Sequence, residues 1–403
     1  MDNTNLRRIG VLDFTSPDWT AGATFTRMLT WSLAQACRQD GTEVIVLTEN
    51  EANLAKYKLP VKVLQVPAPL LGLPPRVSRS LSQRLLRRMW SRPDPKVTFN
   101  AYATASEYAI SVLLPPGVVP DWAAGVRTIG WIPDFQHRHL PHYFTEDERR
   151  NRDCMFRSLA ERADVVLLSS RTAYGHFAAF APDLAHKTRV VSFPSLLAFE
   201  SPSGDPIGTR RKYHLPDKFA LVVNQLWVHK NHELVVEGLR RLRRKGVRIP
   251  VVMTGLPADH RDPGNRLLSR LLQSVATSGL SDQVTLLGEV PRDDLIDLIR
   301  AAEIVIQPSR FEGWSTVVQD AKALGRPLLC SDIPVHREQV PGAMGFFPCD
   351  EPDMLADLLA SHWEQLSPGP DFAGEQKALA EEREFAVLHG RSLLGLCREV
   401  AAS

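Results

Sequence analysis

The 403-residue chain reads as an α/β protein of two doubly wound, Rossmann-like domains facing each other across a cleft. Three observations predict this. Short apolar runs alternate with longer amphipathic stretches, the pattern of a parallel sheet with helices on its faces. The alternation comes in two series, "RRIGVLDF", "EVIVLTE", "VKVLQV", "VRTIGWI", "ADVVLLSS", "TRVVSF" and then "KFALVVNQ", "IPVVMTG", "QVTLLGEV", "EIVIQPS", "RPLLCSD", "GFFPCD". Between them "PSLLAFESPSGDPIGTRRKYHLPDK", rich in Pro, Gly and Ser, sustains neither period and reads as a linker. The expected boundaries are 1–196 for the first domain, 197–375 for the second, and 376–403 for a C-terminal helix packing back on the first.

Composition narrows the function. A net charge of +2 supplies no global field for nucleic acid. The N-terminus passes from polar residues into an apolar run of strand length, too short for a signal peptide or membrane span, and a cytoplasmic location is expected. Five cysteines with no C-x-x-C pairing argue against a zinc site or a disulfide framework.

Taken along the chain, "DWTAGATFTRMLTWSLAQA" places Gly22, Ala23 and Thr24 in a small-residue turn ahead of an amphipathic helix ending near Gly41. In residues 70–92, Val77, Leu81, Leu85 and Met89 recur every four residues among six arginines. That basic amphipathic helix either lies on an anionic membrane surface or packs on the first sheet. "GWIPDFQHRHLPHYF" sets Asp134, His137 and His139 just after a strand, the composition of a binding loop. Lys230 follows a strand and opens a helix, where it can clamp a diphosphate. In "SRFEGWSTVVQD" the strand "AEIVIQPS" ends, Glu312 lies in the loop, and a helix starts with Thr316 as N-cap and Gln319 completing a capping box. Gly313 would let a ligand approach the backbone, the first-turn N–H groups face an anion, and Asp320 lies one turn in.

These residues resemble the nucleotide-sugar-dependent glycosyltransferases of family 4, with the GT-B fold and retention of anomeric configuration. The family signature is Glu, seven residues, Glu; here it reads Glu312 and Asp320. The resemblance is strongest over 215–345 and implies a catalytic set of Glu312, Lys230 and Asp134. Glu312 would accept from the donor sugar's hydroxyls, Gly313, Trp314, Ser315 and Thr316 would meet sugar and diphosphate, and Asp320 would hold the ribose. Lys230 matches the family's lysine while Gln225 stands where the family has arginine, and Gly288, Glu289 and Val290 would offer backbone to the base. Gly22 falls in the family's Gly-rich loop, with Ala23 replacing a second glycine.

The implied function is metal-independent transfer of a sugar from a UDP- or GDP-type donor to a glycan or lipid-linked hydroxyl in cell-surface polysaccharide synthesis, with no cofactor, no metal site and no nucleic acid partner. Peripheral contact of residues 70–92 with the inner face of the membrane is the accompanying expectation. The alternative is a GT-B-like subunit of a glycosylation complex that binds nucleotide sugar or glycan without turnover. Metal-dependent transferases, nicotinamide enzymes and zinc or serine hydrolases are disfavoured because D-x-D, G-x-G-x-x-G, H-E-x-x-H and G-x-S-x-G are all missing.

Overall fold

The computed structural model describes residues 6–13, 20–38, 40–48, 54, 59–66, 109–114, 119, 123, 126–256, 259, 262, 264 and 266–403. The first domain holds β1 (Arg8–Leu12), α1 (Thr20–Cys37), β2 (Glu43–Thr48), β3 (Lys62–Gln65), β4 (Val112–Leu114), β5 (Arg127–Ile132), α2 (Gln136–His139), α3 (Glu146–Arg162), β6 (Val165–Leu168), α4 (Arg171–Phe180) and β7 (Thr188–Val190). Its strands form one parallel sheet in the order β3-β2-β1-β4-β5-β6-β7. The runs are apolar on both faces because both faces are covered. Val44 and Val46 of β2 join one core with Ile9 and Val11, while Ile45 and Leu47 join the core on the opposite face with Leu12.

The second domain follows with α5 (Pro206–Lys212), β8 (Ala220–Val223), α6 (His232–Arg244), β9 (Val251–Thr254), α7 (Arg266–Thr277), β10 (Val284–Gly288), α8 (Arg292–Ala301), β11 (Ile304–Gln307), α9 (Thr316–Ala323), β12 (Leu328–Ser331), α10 (Pro334–Gln339), β13 (Gly345–Phe347) and α11 (Pro352–Trp363). These strands form a second parallel sheet, β10-β9-β8-β11-β12-β13. Strand order reverses between β1 and β4 in the first sheet and between β8 and β11 in the second. Where an open α/β sheet reverses, the loops leaving the two strands splay apart, and the crevice at their carboxyl ends is where ligands bind.

The last helix, α12 (Phe372–Ala402), ties the domains together. Near its start Glu375 accepts from Arg300 Nε at 2.9 Å and Leu379 enters a second-domain core. Near its end Leu393, Leu394, Cys397 and Val400 complete a first-domain core with Met28 and Leu33 of α1. Gly390 lets α1 approach closely, since a Cβ there would lie 2.4 Å from the Ser32 carbonyl oxygen.

Four features differ from the sequence reading. The first sheet gains β4 (Val112–Leu114), a strand that the sequence reading does not contain. Gly22 lies inside the first turn of α1, where its carbonyl accepts from Thr26 Oγ1, not in a loop ahead of the helix. The linker contains α5, started by Pro206. The N-cap of α9 is Ser315, whose hydroxyl accepts from Val318 N, and Thr316 is the first helical residue. The segment 70–92 lies outside the described residues, and among those described no helix is long and apolar enough to cross a membrane.

Candidate active site

The crevice at the carboxyl ends of β8 and β11 is built on buried amides. Asn224, just past β8, and Gln307, the last residue of β11, hydrogen-bond through both side-chain amides, at 3.0 Å (Asn224 Nδ2 to Gln307 Oε1) and 3.3 Å (Gln307 Nε2 to Asn224 Oδ1). Gln307 Nε2 also donates to Ser309 Oγ at 3.0 Å and to Glu312 Oε1 at 2.9 Å. The loop after β8 is pinned by Asn231, which adopts a left-handed conformation (φ 60°, ψ 37°) that asparagine tolerates better than most residues. Its amide nitrogen donates to Pro308 O at 3.1 Å and Cys349 O at 2.9 Å. Arg310 N donates to His229 O at 2.8 Å, which joins the two loops.

The outcome is an ion pair: Lys230 Nζ lies 2.6 Å from Glu312 Oε1. Burial opposes ionisation of Glu312, but the Lys230 ammonium beside it and a hydrogen bond from Ser309 outweigh burial and hold the carboxyl below its ordinary range. His336 is fully buried close by. Its Nδ1 lies 3.0 Å from the Ser331 carbonyl, an obligate acceptor, so Nδ1 carries the proton, and burial keeps the ring neutral.

The residues after Glu312 turn toward the first domain. A Cβ on Gly313 would lie 2.1 Å from Pro133 O and 2.9 Å from Asp134 Cβ, and Gly313 O accepts from Ser170 Oγ at 3.0 Å. The glycine therefore admits the first domain's backbone, where a ligand's approach was expected. Trp314 packs on Phe193 and donates from Nε1 to Phe193 O at 3.1 Å, an interdomain contact. Ser315 is buried, its N–H donating to Gln339 Oε1 and its carbonyl accepting from Gln339 Nε2. Gln319 does not cap α9. Its amide donates to both oxygens of Glu382 on α12, and Glu382 Oε1 also accepts from Ser195 N.

Asp320 is buried at 4% exposure, with Oδ1 accepting from Ser195 Oγ at 2.6 Å and Oδ2 from Arg292 Nη1 at 2.7 Å. Asp134 is brought against Gly313, and its Oδ1 accepts from Gln136 N at 2.8 Å. His137 is buried with Nε2 2.9 Å from Asp153 Oδ1, a structural role. His139 instead lies tilted against His176 at a ring separation of 3.7 Å and stacks at 5.4 Å on Phe311, the residue before Glu312. Thr316 and Gln225 are half-buried, while Gly288, at φ +68°, and Val290 flank the exposed Glu289 at the end of β10. Among the described residues no hydrogen bond or ion pair joins Gly22 to the Lys230–Glu312 pair. Sequence reasoning missed Asn224, Gln307, Ser195 and Arg292; for the first two a signal existed, an amide at the carboxyl end of an otherwise apolar run.

Two parallel sheets with this double reversal, joined by a returning C-terminal helix, make the GT-B fold. Residues 209–365 match the model of the family glycosyl transferases group 1. Curated relatives include mannosylfructose-phosphate synthase of Agrobacterium fabrum, 28% identical over 29% of this chain and 26% of its own. Another is the D-inositol 3-phosphate glycosyltransferase of Mycolicibacterium vanbaalenii, 37% identical over 24% of this chain and 23% of its own. These alignments span about a quarter of each relative's length. Solved structures extend the likeness to the whole fold. Sucrose-phosphate synthase from Thermosynechococcus elongatus superposes with a TM-score of 0.68 at 17% identity, covering 98% of this chain and 100% of that one. Anabaena HepE in complex with UDP gives 0.65 at 16% identity, covering 96% and 98%.

Proposed function

We infer that the protein is a retaining, metal-independent glycosyltransferase that moves a sugar from a nucleoside-diphosphate donor to a hydroxyl acceptor in the cleft between its domains. The observation that carries this reading is the Lys230–Glu312 pair at the second-sheet reversal, inside the segment that matches group 1 glycosyltransferases. Donor and transition state differ chiefly in charge: positive character grows at the sugar carbon as negative charge grows on the departing diphosphate. Lys230 and the positive end of α9 oppose that negative charge, while Glu312, kept ionised by Lys230, accepts from sugar hydroxyls and orients the ring. Asp134, carried by the first domain against Gly313, faces the acceptor side.

The acceptor class in this reading is a glycan or lipid-linked hydroxyl of cell-surface polysaccharide synthesis, reached at the inner face of the membrane. The test is incubation with a panel of UDP- and GDP-sugars, following release of free nucleoside diphosphate and the anomeric configuration of the product. Slow hydrolysis without acceptor and retention in the product are expected. Binding across the panel with no release would leave a binding subunit.

A further inference from the structure

Arg292 has no part in the reading above, yet it opens α8 just beyond the Gly288–Val290 turn at the end of β10, where the family resemblance puts the nucleotide base. Its Nη1 donates to Asp320 Oδ2 at 2.7 Å, and the other carboxylate oxygen is taken by Ser195 Oγ at 2.6 Å. The two partners differ in exposure, 43% for the Arg292 side chain against 6% for Asp320. A ligand entering from solvent therefore meets the guanidinium first, with the carboxylate behind it. A guanidinium carries five donors, and the Asp320 contact uses one of them.

The charge balance points the same way. Lys230 is already matched by Glu312, and Gln225 brings no charge, so a diphosphate entering this crevice would need a further cation. Among the positive side chains at the carboxyl ends of the second sheet, Arg337 is bound at two points by Asp332. Arg292 is fixed by a buried anchor and still open to solvent, and its planar fork suits phosphate oxygens better than a point charge does.

Resting on the nucleotide-sugar reading, we propose that Arg292 is the second cation of the site and contacts the donor's diphosphate, and that Asp320 is a positioning residue that aims it. Ser195 lies in the segment joining the domains and holds the other oxygen of Asp320. The domain arrangement thereby sets the direction of the guanidinium.

The test is calorimetric titration of UDP and GDP into wild type, Arg292→Gln, Arg292→Lys, Asp320→Asn and the Arg292→Gln/Asp320→Asn double variant, with thermal melts showing that each is folded. Arg292→Gln should weaken the preferred diphosphate roughly ten- to a hundred-fold, the scale of one charge-assisted hydrogen bond. Arg292→Lys should recover part of that loss. Asp320→Asn should weaken binding less than Arg292→Gln, and the double variant should match Arg292→Gln within about two-fold, because both substitutions act on one contact. Affinity of Arg292→Gln within about two-fold of wild type, or a larger loss in Asp320→Asn than in Arg292→Gln, would overturn the inference and return the contact to the carboxylate. Should Arg292→Gln fail to fold, Arg292→Lys takes its place: diphosphate affinity within about two-fold of wild type in Arg292→Lys beside a larger loss in Asp320→Asn would overturn the inference, and a measurable loss in Arg292→Lys is expected. A wild type that binds neither UDP nor GDP would overturn the nucleotide-sugar reading itself.

Discussion

Lys230 Nζ and Glu312 Oε1 lie 2.6 Å apart across the seam between β8 and β11, and the two side chains retain only 16% and 10% of their exposure. Glu312 is held by Gln307 at the end of β11, and Asn231 ties the Lys230 loop to the Pro308 and Cys349 carbonyls. Little rearrangement is then needed to meet a diphosphate and a sugar together, and such preorganisation is what makes polar contacts count in a transition state.

Replacing the carboxylate tests this directly. Glu312→Gln should lower kcat/KM by roughly 2–4 kcal/mol of transition-state stabilisation. It should also destabilise the fold by about 1–3 kcal/mol, because Lys230 is left buried without its counter-ion. Steady-state kinetics and urea unfolding measure the two losses separately. Near-wild-type kcat/KM would sink the assignment.

Lys230→Ala should act on binding and chemistry together. UDP or GDP affinity is expected to fall roughly ten-fold or more, as for loss of a charge-assisted contact. Unchanged affinity in a titration would place the diphosphate clamp elsewhere.

Gly313→Ala probes the contact between domains. The new Cβ would meet the Pro133 carbonyl at 2.1 Å, and since that atom is backbone, the domains must move apart. A misplacement of about 1 Å can cost roughly a hundred-fold in rate, so turnover should fall far more than thermal stability. Small-angle scattering with bound nucleotide should show a wider particle. Wild-type turnover would mean that the observed approach of the domains has no part in catalysis.

Chelation should leave the reaction intact, since Lys230 and the α9 N-terminus are assigned the charge work a metal would otherwise do. Turnover is expected to be the same with and without EDTA. Complete loss, restored by manganese alone, would contradict the mechanism.

Acid should weaken the fold through buried imidazoles. His389 of α12 sits with Nδ1 2.8 Å from Ser32 Oγ of α1, and burial pushes its pKa down to about 3. In the unfolded chain the ring takes a proton below its ordinary value of about 6.5, whereas the folded chain refuses it. The stability contributed by the neutral ring is therefore complete above about pH 6.5 and is lost as pH falls toward 3, by about 1.4 kcal/mol per pH unit for each such histidine. Urea midpoints between about pH 7 and pH 4.5 should fall less steeply in His389→Gln than in wild type. Equal slopes would assign the acid sensitivity to other groups.

The local pattern by itself determined the two-domain architecture, the strands of the second sheet, and the position of Glu312 and Lys230 just beyond strand ends. Apolar period, turn residues and the strand–loop–helix order all act over a few residues, so they are written in the chain as it stands. The limits were local too: β4 went unread, and the cap of α9 fell one residue earlier than Thr316. What only the tertiary structure decided are partners far apart in sequence. Gly313 is small for Pro133, Trp314 packs on Phe193, Gln319 reaches Glu382, and Asp320 is shared between Ser195 and Arg292. No periodicity reports such pairs, because each half is an ordinary loop or helix residue until the domains and α12 close upon one another. A buried polar group must then take whichever partner the packing brings within reach.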